Sequence, residues 1–577
     1  MDQLEKSVLD AVTMDEPWGL VESFAGFNRE HPTDVNRGMD EVASRLRRHG
    51  VKVTMHQPDL YLSLPGKARI EAGGKTFAAK TPAYSISTPD GLTGELIYIP
   101  APTSANPEDD DAFESNIPRT DALTAEVTGK IVLSEGLAGP GLVSLFEDSG
   151  AIAVIGINPG VDIHSGICTP IWGVPGTDDL PRKPKIPAAA VNNPDGKALI
   201  EIAKAGGELT IFTETEEGWY KSNLPEVFIK GTDDSDKYIL LHGHLDSWHV
   251  GVGDNATGDA AMLEIARVLW ANRDKLKRSV RIAWWPGHST GRYAGSTWFA
   301  DKFALDLDAN CVAQVNCDSP GCRWATEFID VSAMTETESF LSDIVMEVAD
   351  KTLQSERPHR AGDYSFNGIG ISGYFMLSSA MPDDLRREKG YYRVGGCGMN
   401  IAWHTENDTL EIADKDILYR DIKVYLLAIL RNSNATILPF DWRATAREFL
   451  TTIDNYQAKA GELFDLSPSR TAVEALLATL ETFYANVENN TISPDNANTV
   501  IQDLARILVP INFNYGPRFQ HDPALTIPPL PALEQAGNIA KYKGDEIGFA
   551  VTQLVRGQNK VIAALHQAQR HISLVID

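Results

Sequence analysis

The run from His242 to Gly258, His-Gly-His-Leu-Asp-Ser-Trp-His-Val-Gly-Val-Gly-Asp-Asn-Ala-Thr-Gly, gathers His242, His244, His249, Asp246 and Asp254 on one short stretch. Imidazole nitrogens and carboxylate oxygens are the donors that zinc and similar divalent cations take. A lone histidine in a polar loop usually satisfies a backbone group. His244 and Asp246, followed by Asp254, are spaced for metal chemistry instead, and His249 could reach a second metal position. Metal chemistry requires that these groups be held still. The preceding Tyr-Ile-Leu-Leu at 238–241 reads as a buried strand, and 259–270 carries apolar residues at helical spacing. The candidate ligands therefore leave the C-terminal end of a strand, where open α/β sheets hold their ligands.

His244-x-Asp246 followed by Gly253-Asp-Asn-Ala-x-Gly258 resembles the metal loop of the co-catalytic zinc exopeptidases. That family includes bacterial aminopeptidases, glutamate carboxypeptidase and the catalytically inactive transferrin receptor. The resemblance implies that His244 binds a first metal, that Asp254 bridges two metals and that Asp246 orients the site. Asp318, closing the alternating run 312–317, matches the family's aspartate on the first metal. His404, in Ala-Trp-His-Thr-Glu-Asn-Asp-Thr at 402–409, resembles its ligand to the second.

One feature departs from the pattern. The family places two consecutive glutamates after the strand matched here by 280–285, one as general base and the next as ligand to the second metal. This chain has His288 and Ser289 at those positions. With an unperturbed pKa near ~6.5, His288 can serve as the base, or it can ligate metal. Ser289 is a poor ligand for a divalent cation. Four of the 13 histidines, His242, His244, His249 and His288, come from this neighbourhood. The expectation is a His-rich site with one or two ions, zinc first and manganese, iron or nickel as alternatives. Arg292 could clamp a substrate carboxylate, and Tyr293 could stabilise an oxyanion or simply pack. Arg360 and Asp363 sit where the family has substrate-pocket residues.

The net charge of −27 argues against nucleic acid and anionic membranes as partners. No basic segment followed by an apolar run opens the chain, and no apolar run is long enough to span a bilayer. Five cysteines without framework spacing read as free thiols in a reducing cytoplasm.

Strands alternating with helices predict a mostly parallel mixed sheet flanked by helices, over 1–70 and 216–440. Residues 71–215 read as short strands and turns, and resemble the protease-associated (apical) domain of the same family. Residues 441–577 read as helices over 444–464, 469–486, 496–508 and 539–566. These resemble the family's helical domain, which implies a homodimer, although amphipathic helices also pack on their own chain. The expected activity is that of a metallopeptidase-like hydrolase acting on a short peptide or N-acyl amino acid, with His288 shuttling the proton. The lost glutamates leave two alternatives: a lyase, isomerase or non-peptide hydrolase on the same scaffold, and a receptor-like scaffold without catalysis.

Overall fold

The computed structural model describes residues 1–101, 117, 119–375 and 377–576. At its centre is a six-stranded sheet in the order Thr54–His56, Leu224–Ile229, Ser279–Trp285, Tyr238–His244, Cys311–Asn316, Gly373–Tyr374. The first two pairings are antiparallel and the rest parallel, so the sheet is mixed and mostly parallel. The expected apolar segment 368–377 supplies the last, short strand, and its Met376 lies outside the described residues.

Parallel strands covered on both faces read as unbroken apolar runs. Every residue of Tyr238–His244 and of Ser279–Trp285 is buried. Alternation sends Ile239, Leu241, Val280, Ile282 and Trp284 to one face, against the helices Thr257–Ala271 and Lys415–Asn434. Tyr238, Leu240, Ala283 and Trp285 go to the other, against Phe299 and Leu307 of Ala294–Lys302 and Ala304–Asn310.

Connectivity decides where ligands can bind. Tyr238–His244 pairs with Ser279–Trp285 on one side and Cys311–Asn316 on the other. The chain thus leaves the central strand in one direction and returns on its opposite flank. The crevice that opens beyond the C-terminal ends of these strands is the topological switch point. His244, His288 and Asp318 all belong to those ends.

Between the first two strands of the sheet the chain builds a closed barrel. Its order is Asp59–Ala72, Lys75–Lys80, Ala188–Val191, Ala153–Ile157, Ile131–Glu135, Leu92–Tyr98, Glu208–Lys221. Its limits lie outside the expected 71 and 215, because the two long strands pair from Asp59 with Lys221 through Ala72 with Leu209. That pairing carries residues on both sides of the expected boundaries into one ladder.

The C-terminal helices are Trp442–Ala460, Ser467–Glu488, Pro494–Phe513 and Asp545–Ile576. The last starts later than the expected 539 and runs past 566, since Gly544 adopts a left-handed backbone just before it. Their apolar faces merge with the core under the sheet rather than forming a separate one. Among the described residues no helix is long and apolar enough to cross a membrane. All five cysteines are buried and free.

Glu336 ties the helices to the sheet edge. Its carboxylate accepts from Ser372 Oγ at 2.7 Å and from Thr445 Oγ1 at 3.0 Å, and the residue is only 3% exposed. Burial pushes its carboxyl up from 4.5 to about 7. The folded protein therefore binds a proton here that the unfolded chain has already released. This contribution to stability is complete below the ordinary carboxylate pKa and is lost as pH rises through about 7. Glu336→Gln should be more stable than the parent by ~1–3 kcal/mol at pH 8, with little difference at pH 4.5. Denaturant unfolding at the two pH values checks this, and an equal difference at both would refute the buried proton.

Candidate metal centre

His244 ends the central strand, Asp254 precedes the helix Thr257–Ala271, and Asp318 follows the strand Cys311–Asn316. One donor atom from each lies within 4.8 Å of the other two. His244 Nε2 is 3.1 Å from Asp254 Oδ1 and 3.4 Å from Asp318 Oδ2. His404 Nε2 stands 3.1 Å from Asp254 Oδ2. Asp254 thus turns one oxygen to each histidine, as a carboxylate shared by two positions would. His244 Nε2 and Asp254 Oδ1 are buried and make no hydrogen bond. Stranding such groups is costly, and a divalent cation among one imidazole and two carboxylates would satisfy them together. Burial alone would lower the His244 pKa, but the adjacent negative charges of Asp254 and Asp318 hold it well above the histidine range. A cation would take the place of that proton. The residues fit a divalent metal.

The surrounding hydrogen bonds orient these donors. His244 Nδ1–H donates to the Asp246 carbonyl at 2.7 Å, and His404 Nδ1–H to the Ser165 carbonyl at 2.9 Å. Both Nε2 atoms are left free for a metal. The Asp246 carboxylate accepts the backbone N–H groups of His288 at 2.9 Å and Ser289 at 2.8 Å. Asp246 therefore fixes His244 through its carbonyl and the 288–289 loop through its side chain.

Sequence reading passed over three residues here. Asp408 accepts from the backbone N–H groups of Gly253 at 2.6 Å and Asp254 at 3.0 Å, which holds the shared carboxylate in place. Burial, with the nearby Asp254 charge, pushes the Asp408 carboxyl up to about 7. Asn255 donates to the carbonyls of His244 and Cys317 and so bridges two ligand-bearing strands. Arg29 is fully buried and donates to the carbonyls of Phe24, Leu245, Val250 and Gly251, shaping the loop from beneath. Asp408 and Asn255 lie inside motifs already singled out; Arg29 carries no local signal.

His288 stacks on His244 with ring centroids 3.7 Å apart and planes 16° from parallel. Its Nδ1–H donates to Asp363 Oδ2 at 2.9 Å, so its Nε2 is the unprotonated nitrogen of the neutral ring. Asp363 is fully buried and also accepts from Ser296 Oγ at 2.7 Å. Burial would raise its pKa, but the hydrogen bonds from His288 and Ser296 keep it below the usual carboxylate value.

The structure does not bring His249 into the ligand group, a correction to its expected role. The residue adopts a left-handed backbone (φ 57°), and its ring meets residues outside that group. There Nδ1 faces Glu30 at 3.4 Å, and Nε2 faces Lys80 at 3.3 Å and Glu406 at 3.7 Å. Among the described residues no other His, Cys, Asp or Glu joins the His244, Asp254, Asp318 group at metal-binding distances.

Arg292 and Tyr293 are both left-handed, at φ 46° and 72°. The Arg292 Nε is buried without a hydrogen bond. Tyr293 is wedged between His288, at 4.8 Å, and Trp172, at 4.1 Å, which gives its ring a packing role. Arg360 lies over Trp172 at 3.6 Å and donates to the carbonyls of Asp522 and Pro523.

Fold and site together define a class: an α/β domain whose candidate metal ligands converge at the switch point of a mostly parallel sheet. Residues 227–428 match the model of Peptidase family M28. Over 478 residues the chain is 24% identical to the probable glutamate carboxypeptidase VP8 of Zea mays, covering 70% of this chain. It spans only 64% of that protein's length. The solved peptidase M28 precursor of Shewanella amazonensis shares the fold at a TM-score of 0.56 and 16% identity, over 75% of this chain and 97% of that one. A zinc aminopeptidase of Bacillus subtilis does so at 0.50 and 18%, over 74% and 94%.

Proposed function

We propose that this chain is a metal-dependent hydrolase of amide bonds in small substrates, a short peptide or an N-acyl amino acid. The observation that carries the reading is the pair of buried, unsatisfied donors, His244 Nε2 and Asp254 Oδ1, facing Asp318. Zinc is the favoured ion, in line with the zinc aminopeptidase that shares the fold. His244, Asp254 and Asp318 would hold it, and His404 with Asp254 would form a weaker second position. When bound, a divalent cation supplies Lewis acidity toward a substrate carbonyl and makes water a better nucleophile. His288 takes up and returns the proton at Nε2, with Asp363 fixing the tautomer. Arg292 receives a substrate carboxylate on its unpaired guanidinium.

The barrel, read as a protease-associated domain, walls the cleft. The exposed Phe549 (74%) and Leu574 (82%) of the last helix favour a homodimer through the C-terminal helices. The five buried free thiols suit the cytoplasm.

The test is turnover of dipeptides and N-acetyl amino acids by zinc-loaded protein in oxygen-18 water. One labelled oxygen should enter the product carboxylate. Turnover without label would favour the lyase or isomerase reading, which the His288–Ser289 replacement also allows. Metal binding without turnover of any substrate would leave a scaffold.

A further inference from the structure

We infer that Trp172, which the barrel contributes, is a positioning residue for the His288 imidazole. The inference rests on the proposed role of His288 as the proton carrier.

Trp172 reaches His288 by two separate routes. The first is a line of hydrogen bonds. The indole Nε1–H donates to Ser365 Oγ at 2.9 Å, Ser365 Oγ meets Ser296 Oγ at 2.9 Å, and Ser296 Oγ donates to Asp363 Oδ1 at 2.7 Å. Asp363 Oδ2 accepts from His288 Nδ1–H at 2.9 Å. Proton counting fixes the direction of this line. An indole N–H can only donate and a carboxylate can only accept, so Ser365 gives its proton to Ser296 and Ser296 gives its own to Asp363. Both hydroxyls are thereby committed toward the carboxylate that holds His288. Without the indole donor, Ser365 Oγ keeps only its contacts with Ser296 and, at 3.4 Å, with Thr297 Oγ1.

The second route is through rings. The indole stacks on Tyr293 at 4.1 Å, Tyr293 meets His288 edge-on at 4.8 Å, and His288 stacks on His244 at 3.7 Å. Arg360 covers the outer face of the indole at 3.6 Å. The hydrogen-bonded line holds the imidazole at Nδ1 while the rings hold its tilt, and the two routes close on each other at Trp172.

The seat of Trp172 is equally constrained. The next residue, Gly173, has φ +75°, its N–H donates to the Arg292 carbonyl at 2.6 Å, and a Cβ there would lie 2.1 Å from Thr297 Oγ1. Only glycine lets this loop press so close against the helix Ala294–Lys302. The loop lies between the barrel strands Ala153–Ile157 and Ala188–Val191, so a shift of the barrel would reach His288 directly.

The test uses zinc-loaded full-length protein with nitrogen-15 histidine, and the variants Trp172→Phe, which keeps a ring but loses the donor, and Ser365→Ala. The His288 Nδ1–H resonance is assigned by its loss in His288→Gln. Both variants should move or exchange-broaden that resonance while zinc content and melting temperature hold. Dipeptide kcat should fall ~10-fold with KM unchanged, and Trp172→Phe should add nothing once His288 is glutamine. An unmoved resonance in both variants overturns the inference whatever the activity. A moved resonance with full kcat retained in His288→Gln upholds the positioning and overturns the catalytic reading of His288.

Discussion

His244→Ala protein should emerge from dialysis without a tightly held metal ion, whereas the parent keeps about one per chain. His244 supplies the only nitrogen among the three donors that lie within 4.8 Å of one another. Its removal leaves Asp254 and Asp318 as two adjacent carboxylates, a set that binds zinc poorly without an imidazole. Amide hydrolysis should fall by ~10³-fold or more, since losing the Lewis acid forfeits several kcal/mol and each ~1.4 kcal/mol is a factor of ten. The second position, served by His404 and Asp254 alone at 3.1 Å, should fill only when zinc is added in excess. Atomic-emission metal analysis before and after dialysis reads both results. Two ions that survive dialysis would mean that a further donor compensates for Ser289. An His244→Ala protein that keeps its metal would dismiss the centre altogether.

His288→Ala should lower kcat by ~10²–10⁴-fold, the range of a positioned acid–base group, while the metal is retained. The separation between the two effects is the informative part. His288 stacks face to face on the His244 ring at 3.7 Å, so it contacts the ligand without offering its plane as a donor to the same ion. Its fixed tautomer, with Nδ1–H given to Asp363, keeps Nε2 available for a proton. KM should change little, because binding falls to other groups. Metal loss in His288→Ala would reassign the residue as a ligand. Unchanged kcat would remove it from the chemistry and leave Asp363 as a structural partner.

The two substitutions probe parts of the molecule that differed in legibility. His244, Asp246, Asp254, Asp318 and His404 were readable because each sits inside a short pattern: a strand end, a glycine-bounded loop, or a His-Thr-x-x-Asp run. Those patterns exist because local backbone geometry needs particular residues at fixed spacing. The parallel sheet was readable for the same kind of reason, since strands such as Tyr238–His244 must be apolar throughout when both faces are covered. The barrel limits were misplaced because the ladder from Asp59 to Lys221 pairs residues far apart in sequence, and no local signal marks where it begins.

What the sequence alone determined was the inventory: which donors are present, that both glutamates are missing, and that strands and helices alternate around the metal loop. Tertiary structure decided how that inventory is used. His249, close to Asp254 in the chain, faces Glu30 and Lys80 instead. Asp363, remote in the chain, is carried to His288, and Trp172 to Ser365 and Tyr293. The reason is that short-range order follows from backbone geometry and burial, which a few neighbouring residues specify. Which distant side chains share a hydrogen bond depends on how strands cross the switch point and how the barrel loop packs against the sheet, and the whole chain sets that at once.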